Sequence, residues 1–255
     1  MRELPPSPTS TTAASVATPA APARRGAARF VPPARWVAVL LAGAIVLALL
    51  ATYVDLPLAI YIHKTVSANV DGAFNMIGQL GERGENYALG ALLVYGLSLY
   101  AIRRGWSEPW PGAYDRMARG GLLMVAVLAV GGIATGLLKH LVARARPIMY
   151  FEHGFYGLGS MFGGKRFTSF PSSHTLTAFG VAVTVAMVFP RCRWPALLLA
   201  TLIAVSRLIN LDHYASDVTG AALIALVTVV LLAPYFLDSS RQWPLRPPSR
   251  WFKRA

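Results

Sequence analysis

The chain has 255 residues, of which 55% are hydrophobic and only 14% charged. A soluble domain carries about 25% charged residues, so this composition excludes an ordinary soluble protein and suits a compact membrane bundle. The net charge of +13 could suit nucleic acid, but its distribution, given below, excludes that partner. The single cysteine, Cys192, permits no internal disulfide.

Residues 1–34 are rich in Pro, Ala, Thr and Ser and lack the continuous apolar core of a signal peptide. They are expected to form a disordered cytoplasmic tail. They are acid-poor, as organelle transit peptides are, but their prolines argue against an amphipathic helix. From 35 to 238 the chain is a membrane domain of apolar runs between charged residues. The first run, 36–54, lies between Arg35 and Asp55. Residues 55–85 are too polar to span, and Asp55 to His63 could lie along the interface as a short helix. The second run is 86–102 and the third, 120–138, lies between Arg119 and Lys139. Residues 148–170 are full of glycine and aromatic rings. Such a loop anchors at the headgroup layer, or, more sharply, covers a lipid entrance as a lid. The fourth run is 175–190, the fifth 194–206 and the sixth 218–237. A helix needs roughly 20 apolar residues to cross a bilayer core. Runs one, three and six fit; the other three are short and must extend through polar residues facing the protein. The expected fold is an all-α polytopic bundle of about six transmembrane helices, with five or seven as the fallback. Residues 239–255 form a basic tail suited to anionic headgroups.

With the amino terminus in the cytoplasm and six spans, sixteen of the 24 Lys+Arg and only four of the 11 Asp+Glu fall on the cytoplasmic side. This is the positive-inside asymmetry of a multi-pass protein of the cytoplasmic membrane. Both termini are then cytoplasmic. One outer segment, 139–166, resists the pattern with five basic residues, which calls for a local reason.

Three polar clusters punctuate the apolar chain at the ends of these runs. The first is Lys139-x6-Arg146-Pro147. Seven residues is about two helical turns, so both cations can point one way if the helix continues, although Pro147 tends to end it. Arginine binds phosphate oxygens in a planar fork. Arg144, between them, reads as an ordinary cation snorkelling at a span end. The second cluster, Pro171-Ser172-Ser173-His174, is a helix start. Its free N–H groups and two hydroxyls can receive an anion, and His174 would face it. The third is Ser206-Arg207-x5-His213-x3-Asp217. His213 and Asp217 are helical neighbours at that spacing, and a carboxylate beside an imidazole fixes its tautomer and leaves the other nitrogen free to attack. Charged groups this close to spans are functional by default. Together the clusters supply cations, two histidines and a carboxylate for holding a phosphate and attacking it.

The order and spacing of K-x6-R-P, P-S-x-H and S-R-x5-H-x3-D over residues 120–237 resemble the signature of the type-2 phosphatidic acid phosphatase superfamily. That resemblance implies a phosphatase core in the last four spans. It implies His213 as nucleophile forming a phosphohistidine and Asp217 as its orienting partner. His174 would protonate the leaving oxygen and then activate water. Lys139, Arg146 and Arg207 would clamp the phosphate with Ser172 and the backbone N–H of Ser173. Ser173 stands where the family usually has glycine; the backbone donor survives unless the position needs a positive φ. No cofactor and no metal are expected, since no His/Cys/Glu cluster has metal spacing.

The expected function is hydrolysis of a lipid phosphate or pyrophosphate at the outer face of the membrane, without a nucleic-acid partner. Transfer of the phosphoryl group to a lipid or sugar hydroxyl is the alternative, and a non-catalytic phospholipid-binding or transport protein a third reading. Undecaprenyl pyrophosphate, phosphatidic acid, phosphatidylglycerol phosphate and lipid A phosphate all offer the same head chemistry.

Overall fold

The computed structural model describes residues 33–238. The tails expected at 1–34 and 239–255 therefore lie outside the described residues, apart from Pro33 and Ala34, which begin the first helix. The described chain is helical. A rod of α1 (Pro33–Leu49), one π-helical turn (Leu50–Val54) and α2 (Asp55–Thr65) opens it. The chain does not leave the helix at Asp55 as expected. Pro57 has no N–H to donate, and the turn before it relaxes to the wider i→i−5 pattern, Asp55 N–H bonding Leu50 O. The rod thus absorbs the proline and carries on for another turn and more.

α3 (Ala68–Gln79) follows inside the segment expected to be a polar outer loop, and it packs on α8. α4 (Gly84–Arg104) ends at Gly105, whose φ of +64° supplies the left-handed cap. α5 (Ala113–Val142) is the longest helix, with 30 residues. It starts well before its apolar run, so Arg119 is a buried helical residue rather than a loop cation. Arg119 pairs with Asp115 at 2.8 Å and donates to the carbonyls of Phe236 and Asp238 at the end of α9. α6 (Pro147–His153) is a short helix within the aromatic segment. α7 (Ser173–Val188), α8 (Arg193–Ile209) and α9 (Ala215–Phe236) complete the bundle.

α7 sits at the centre, packed on α5, α8 and α9. Its 16 residues span only about 24 Å, which suits a helix that starts at an inset polar site. Leu176 packs on Ala221 and Ala225 of α9, while Ala178 and Ala182 meet Ala200 and Ile203 of α8. Small residues at these crossings let the backbones approach. Gly121 shows the same device between α4 and α5, since a Cβ there would lie 2.6 Å from the carbonyl oxygen of Ala91.

Large apolar side chains cover the outside: Leu40, Leu41 and Ile45 on α1, Leu89 and Leu93 on α4, Ile133 and Leu137 on α5. Among the described residues, four helical stretches are long and apolar enough to cross a bilayer, namely Trp36–Thr65, Ala113–Val142, Pro190–Ile209 and Ala215–Phe236. α7 is apolar but shorter, and α4 opens with Glu85, Asn86 and Tyr87, which dilute its apolarity.

Candidate active site

The three clusters converge at the ends of α5, α7, α8 and α9. The first does so without the expected continuous helix. α5 ends at Val142, where Ala143 turns left-handed (φ 46°) and bonds Lys139 O. Arg146 is extended and Pro147 begins α6, so Pro147 starts a helix here instead of ending one. Lys139 donates to the carbonyl of Thr168 at 2.8 Å, tying α5 to the returning loop.

Arg146 and Arg207 face one another across Asp212. Asp212 accepts an ion pair from each at 3.4 Å, one through either carboxylate oxygen. Both guanidiniums are largely buried, and each keeps a buried Nε–H that lacks a hydrogen-bond partner among the described residues. Burial lowers the pKa of Arg146, with the Asp212 and Asp217 carboxylates opposing that shift; an arginine begins so high that it stays charged. Gly78 on α3 lets that helix lie directly on Arg207, since a Cβ at 78 would fall 2.8 Å from its Cζ.

His174, in the first turn of α7, and His213 line one cavity of about 340 Å³ together with Arg146 and Arg207. Asp212, Asn75, Gln79, Glu82 and Lys165 complete its walls. Asn75, Gln79 and Glu82 come from the region read as an outer loop, and their polar character there is the only sequence signal they carried. Lys139 is not among the lining residues. Ser172 is buried and acts as the cap of α7: its Oγ accepts from Thr175 N and Thr175 Oγ1, and its N–H bonds Asp217 O. The hydroxyl still has its own proton to donate. Ser173 is exposed, and it lines a separate cleft between α4, α5 and α7.

His213 is not on a helix. It occupies the turn between α8 and α9, and Asp217 is the third residue of α9, reaching back to the capping N–H of Tyr214 at 2.8 Å. The direct His213–Asp217 hydrogen bond implied by the spacing is absent: Nδ1 lies 3.9 Å from Asp217 Oδ2. Nδ1 instead bonds the Ser169 carbonyl at 2.7 Å. A carbonyl only accepts, so Nδ1 carries the proton and Nε2 holds the lone pair. Asp217 acts one step removed, because its Oδ2 accepts from Ser169 Oγ at 2.6 Å. Burial lowers the pKa of His213 well below the usual imidazole range, and the positive charges of Arg146 and Lys139 add to that; the Ser169 bond opposes it. The ring is neutral at pH 7.

The residue most misjudged from sequence is Arg144. It does not snorkel. It is buried behind His213, ion-paired at 2.7 Å to both Asp217 and Asp55 and bonded to Ser216 Oγ. Its guanidinium lies 4.5 Å from the centre of the Tyr214 ring, and Tyr156 Oη joins it to Ala51 O on the opening rod. Burial alone would lower the Arg144 pKa, but the carboxylates of Asp217 and Asp55 outweigh it and raise it. Asp55 in turn holds the N–H of Ser216 at 2.9 Å. Two carboxylates around one guanidinium have no sequence spacing that would reveal them.

Residues 120–241, which bear most of the site, match the model of the PAP2 superfamily. The fold agrees over a wider span. The crystal structure of a transmembrane PAP2-type phosphatidylglycerolphosphate phosphatase from Bacillus subtilis superposes with a TM-score of 0.56 at 20% identity. It covers 82% of this chain and 98% of its own. The architecture is thus an all-α transmembrane bundle with the fold of that structure, and the protein is multi-pass. Among curated relatives, a lipid A 1-phosphatase of Rhizobium johnstonii is 29% identical over 153 residues, 57% of this chain and 58% of that protein. A lipid A 1-phosphatase of Rhizobium etli is 29% identical over 143 residues, 53% and 58% of the two chains. The match therefore spans about 58% of the length of these relatives.

Proposed function

We propose that this protein is an integral membrane phosphatase that hydrolyses a lipid phosphate through a phosphohistidine intermediate. The observation that carries the reading is one cavity where a neutral, tautomer-fixed His213 and a second histidine, His174, meet two arginines. Each arginine holds a buried Nε–H without a partner among the described residues. Such donors need an acceptor, and a phosphate has oxygens to spare.

In this mechanism Nε2 of His213 attacks phosphorus while the bond to the leaving oxygen breaks. Arg146 and Arg207 take the charge on the non-bridging oxygens, with Lys139 adding a third positive charge from behind. Electrostatic stabilisation is the main demand of phosphoryl transfer. Protonated His174 gives its proton to the leaving alkoxide. It then takes one from water, which attacks the phosphohistidine and restores His213. Ser172 and the N–H of Ser173 complete the clamp at the start of α7. Asp217, through Ser169, keeps His213 in the attacking tautomer. No step calls for a metal.

The proposed topology has six spans, with α4 and α7 joining the four long ones, both termini in the cytoplasm and the site at the outer face. What supports lipid A 1-phosphate as the first substrate to test is the name carried by both curated relatives. Phosphatidylglycerol phosphate comes second, on the fold relative. The experiment is phosphate release by detergent-purified protein from these lipids, with chelator present and His213→Ala as control. Chelator-resistant release that the variant loses is the expected result. Equal release by parent and variant would sink the mechanism, and label appearing in a lipid or sugar acceptor would turn it into a phosphotransferase.

A further inference from the structure

A groove of about 790 Å³ adjoins the reaction cavity, and the two share Arg146, Lys165 and Asp212 as lining residues. Its walls are apolar at Ile62, Val66 and Ile148 and polar at Asp71 and Asn210. The reaction cavity has about 340 Å³, and its shared lining makes the groove the open direction in which a larger headgroup can extend from a phosphate held by Arg146 and Arg207.

Lys165 stands between the two spaces. It follows Gly164 (φ +84°) and opens a short 3₁₀ turn, Lys165–Phe167. Its backbone is fastened to the segment that carries Arg146. Arg146 N–H bonds Arg166 O at 2.9 Å, Ser169 N–H bonds Arg144 O at 3.0 Å, and Lys139 holds the Thr168 carbonyl. Neighbouring Arg166 is occupied by Glu152 at 3.5 Å. No carboxylate among the described residues pairs with Lys165, and its side chain is exposed. A fixed backbone, a free ammonium and a position at the mouth of both spaces describe a binding residue rather than a solvated surface lysine.

We propose that Lys165 binds a second anionic group on the substrate, beyond the scissile phosphate, and that the groove holds the headgroup carrying it. This rests on the phosphatase reading above. The apolar walls suit the carbon face of a sugar or glycerol unit, and the Asp71 carboxylate, which accepts from Asn210 Nδ2 through one oxygen at 2.7 Å, keeps its other oxygen for a hydroxyl. An ammonium held beside the clamp then selects lipids whose head bears one charge more than the phosphate that leaves.

The test compares phosphatidic acid with phosphatidylglycerol phosphate in detergent micelles, using parent, Lys165→Gln and Lys165→Arg. The second lipid adds a glycerol and an internal phosphodiester anion to the same terminal phosphate chemistry. Lys165→Gln is expected to raise KM for phosphatidylglycerol phosphate about tenfold, as for loss of one hydrogen bond to a charged group. Its kcat should hold within about twofold, Lys165→Arg should restore KM, and added salt should shrink the difference. Phosphatidic acid should show no such change. An equal rise for both lipids would make Lys165 one more clamp cation and overturn the proposal, as would no change in either. If parent protein releases phosphate from neither lipid, the phosphatase reading has failed, and this inference falls with it.

Discussion

Removing the Arg144 charge should destabilise the protein more than any other single change at the site. Arg144 stands 2.7 Å from both Asp55 and Asp217, whose side chains are fully buried, while its own is 10% exposed. Arg144→Met keeps much of the volume and removes the charge. It leaves two carboxylates close together, out of water, with no cation between them. Breaking a buried pair by deleting one partner costs about 3–5 kcal/mol. For a domain of this size each kcal/mol shifts the melting temperature by about 2–4 °C, so the variant should melt about 10 °C lower in detergent. Desolvation drives that loss, and removing one carboxylate as well should return part of it. Asp55→Asn keeps an oxygen for the Ser216 N–H and drops one charge, so Arg144→Met/Asp55→Asn should recover about half of the shift. The assay is thermal unfolding of the three purified proteins followed by intrinsic fluorescence, at neutral pH and moderate salt. A single variant that melts within about 2 °C of the parent would refute the reasoning, because it would mean that water or rearrangement already screens the pair. A double variant that melts lower than the single would refute the charge argument in particular.

Other outcomes follow from the same geometry. Asp212 occupies both arginines of the proposed phosphate clamp and is partly exposed, so Asp212→Asn should tighten inhibition by inorganic phosphate about threefold, the scale of a partly exposed ion pair; weaker inhibition would show that Asp212 positions the arginines instead. Gly78→Ala puts a methyl group against the Arg207 guanidinium and Ser206 Oγ, and should raise KM or abolish turnover while parent-like secondary structure persists by circular dichroism; full activity would contradict the close approach. The lowered His213 pKa sets a sign for pH dependence. The unfolded chain binds a proton at this histidine below about pH 6.5 and the folded chain does not, so its stabilising contribution is complete above that pH and is lost as pH falls. The slope approaches 1.36 kcal/mol per pH unit for one proton. His213→Gln should therefore flatten melting temperature against pH between about 6.5 and 5 relative to parent, and an unchanged slope would count against a neutral buried ring.

The candidate site was legible in the sequence because its residues sit at the ends of apolar runs, where charge is costly. Arg146, His174, Arg207 and His213 all line one cavity. What spacing misread was how they are held. His213 and Asp217 are four apart and look like helical neighbours, yet α9 begins only at Ala215. The carboxylate caps the helix and reaches the imidazole through Ser169. Lys139 and Arg146 likewise flank a helix end rather than share a helix face. Asp55 and Arg144 were invisible as a pair because they lie 89 positions apart, and each alone has an ordinary explanation at a span boundary. α3 was hidden for a different reason: at 12 residues with Asp71 and Asn75 in it, it resembles a polar loop and gains its helix from packing on α8.

The arrangement behind His213 has a charge logic of its own. In the proposed mechanism, attack through Nε2 with Nδ1 still protonated makes the imidazole ring cationic, so phosphorylation would add positive charge where Lys139, Arg146 and Arg207 already stand. Something negative must meet it. The Ser169 carbonyl offers only a dipole, and the nearest full charge is Asp217, 3.9 Å from Nδ1. Arg144 on its own would cancel that charge. Asp55, brought in by the opening rod, shares Arg144, so the three groups together keep one net negative charge against the ring. On the proposed mechanism the amino-terminal helix is therefore part of the electrostatic design, even though it lies outside the region matched by the superfamily model. The same balance explains why the carboxylate sits one residue removed. Direct contact with the buried Asp217, which already holds Arg144, Ser169 Oγ and the Tyr214 N–H, is not required for field stabilisation, whereas a carbonyl acceptor fixes the tautomer without offering His213 a second base that could take its proton.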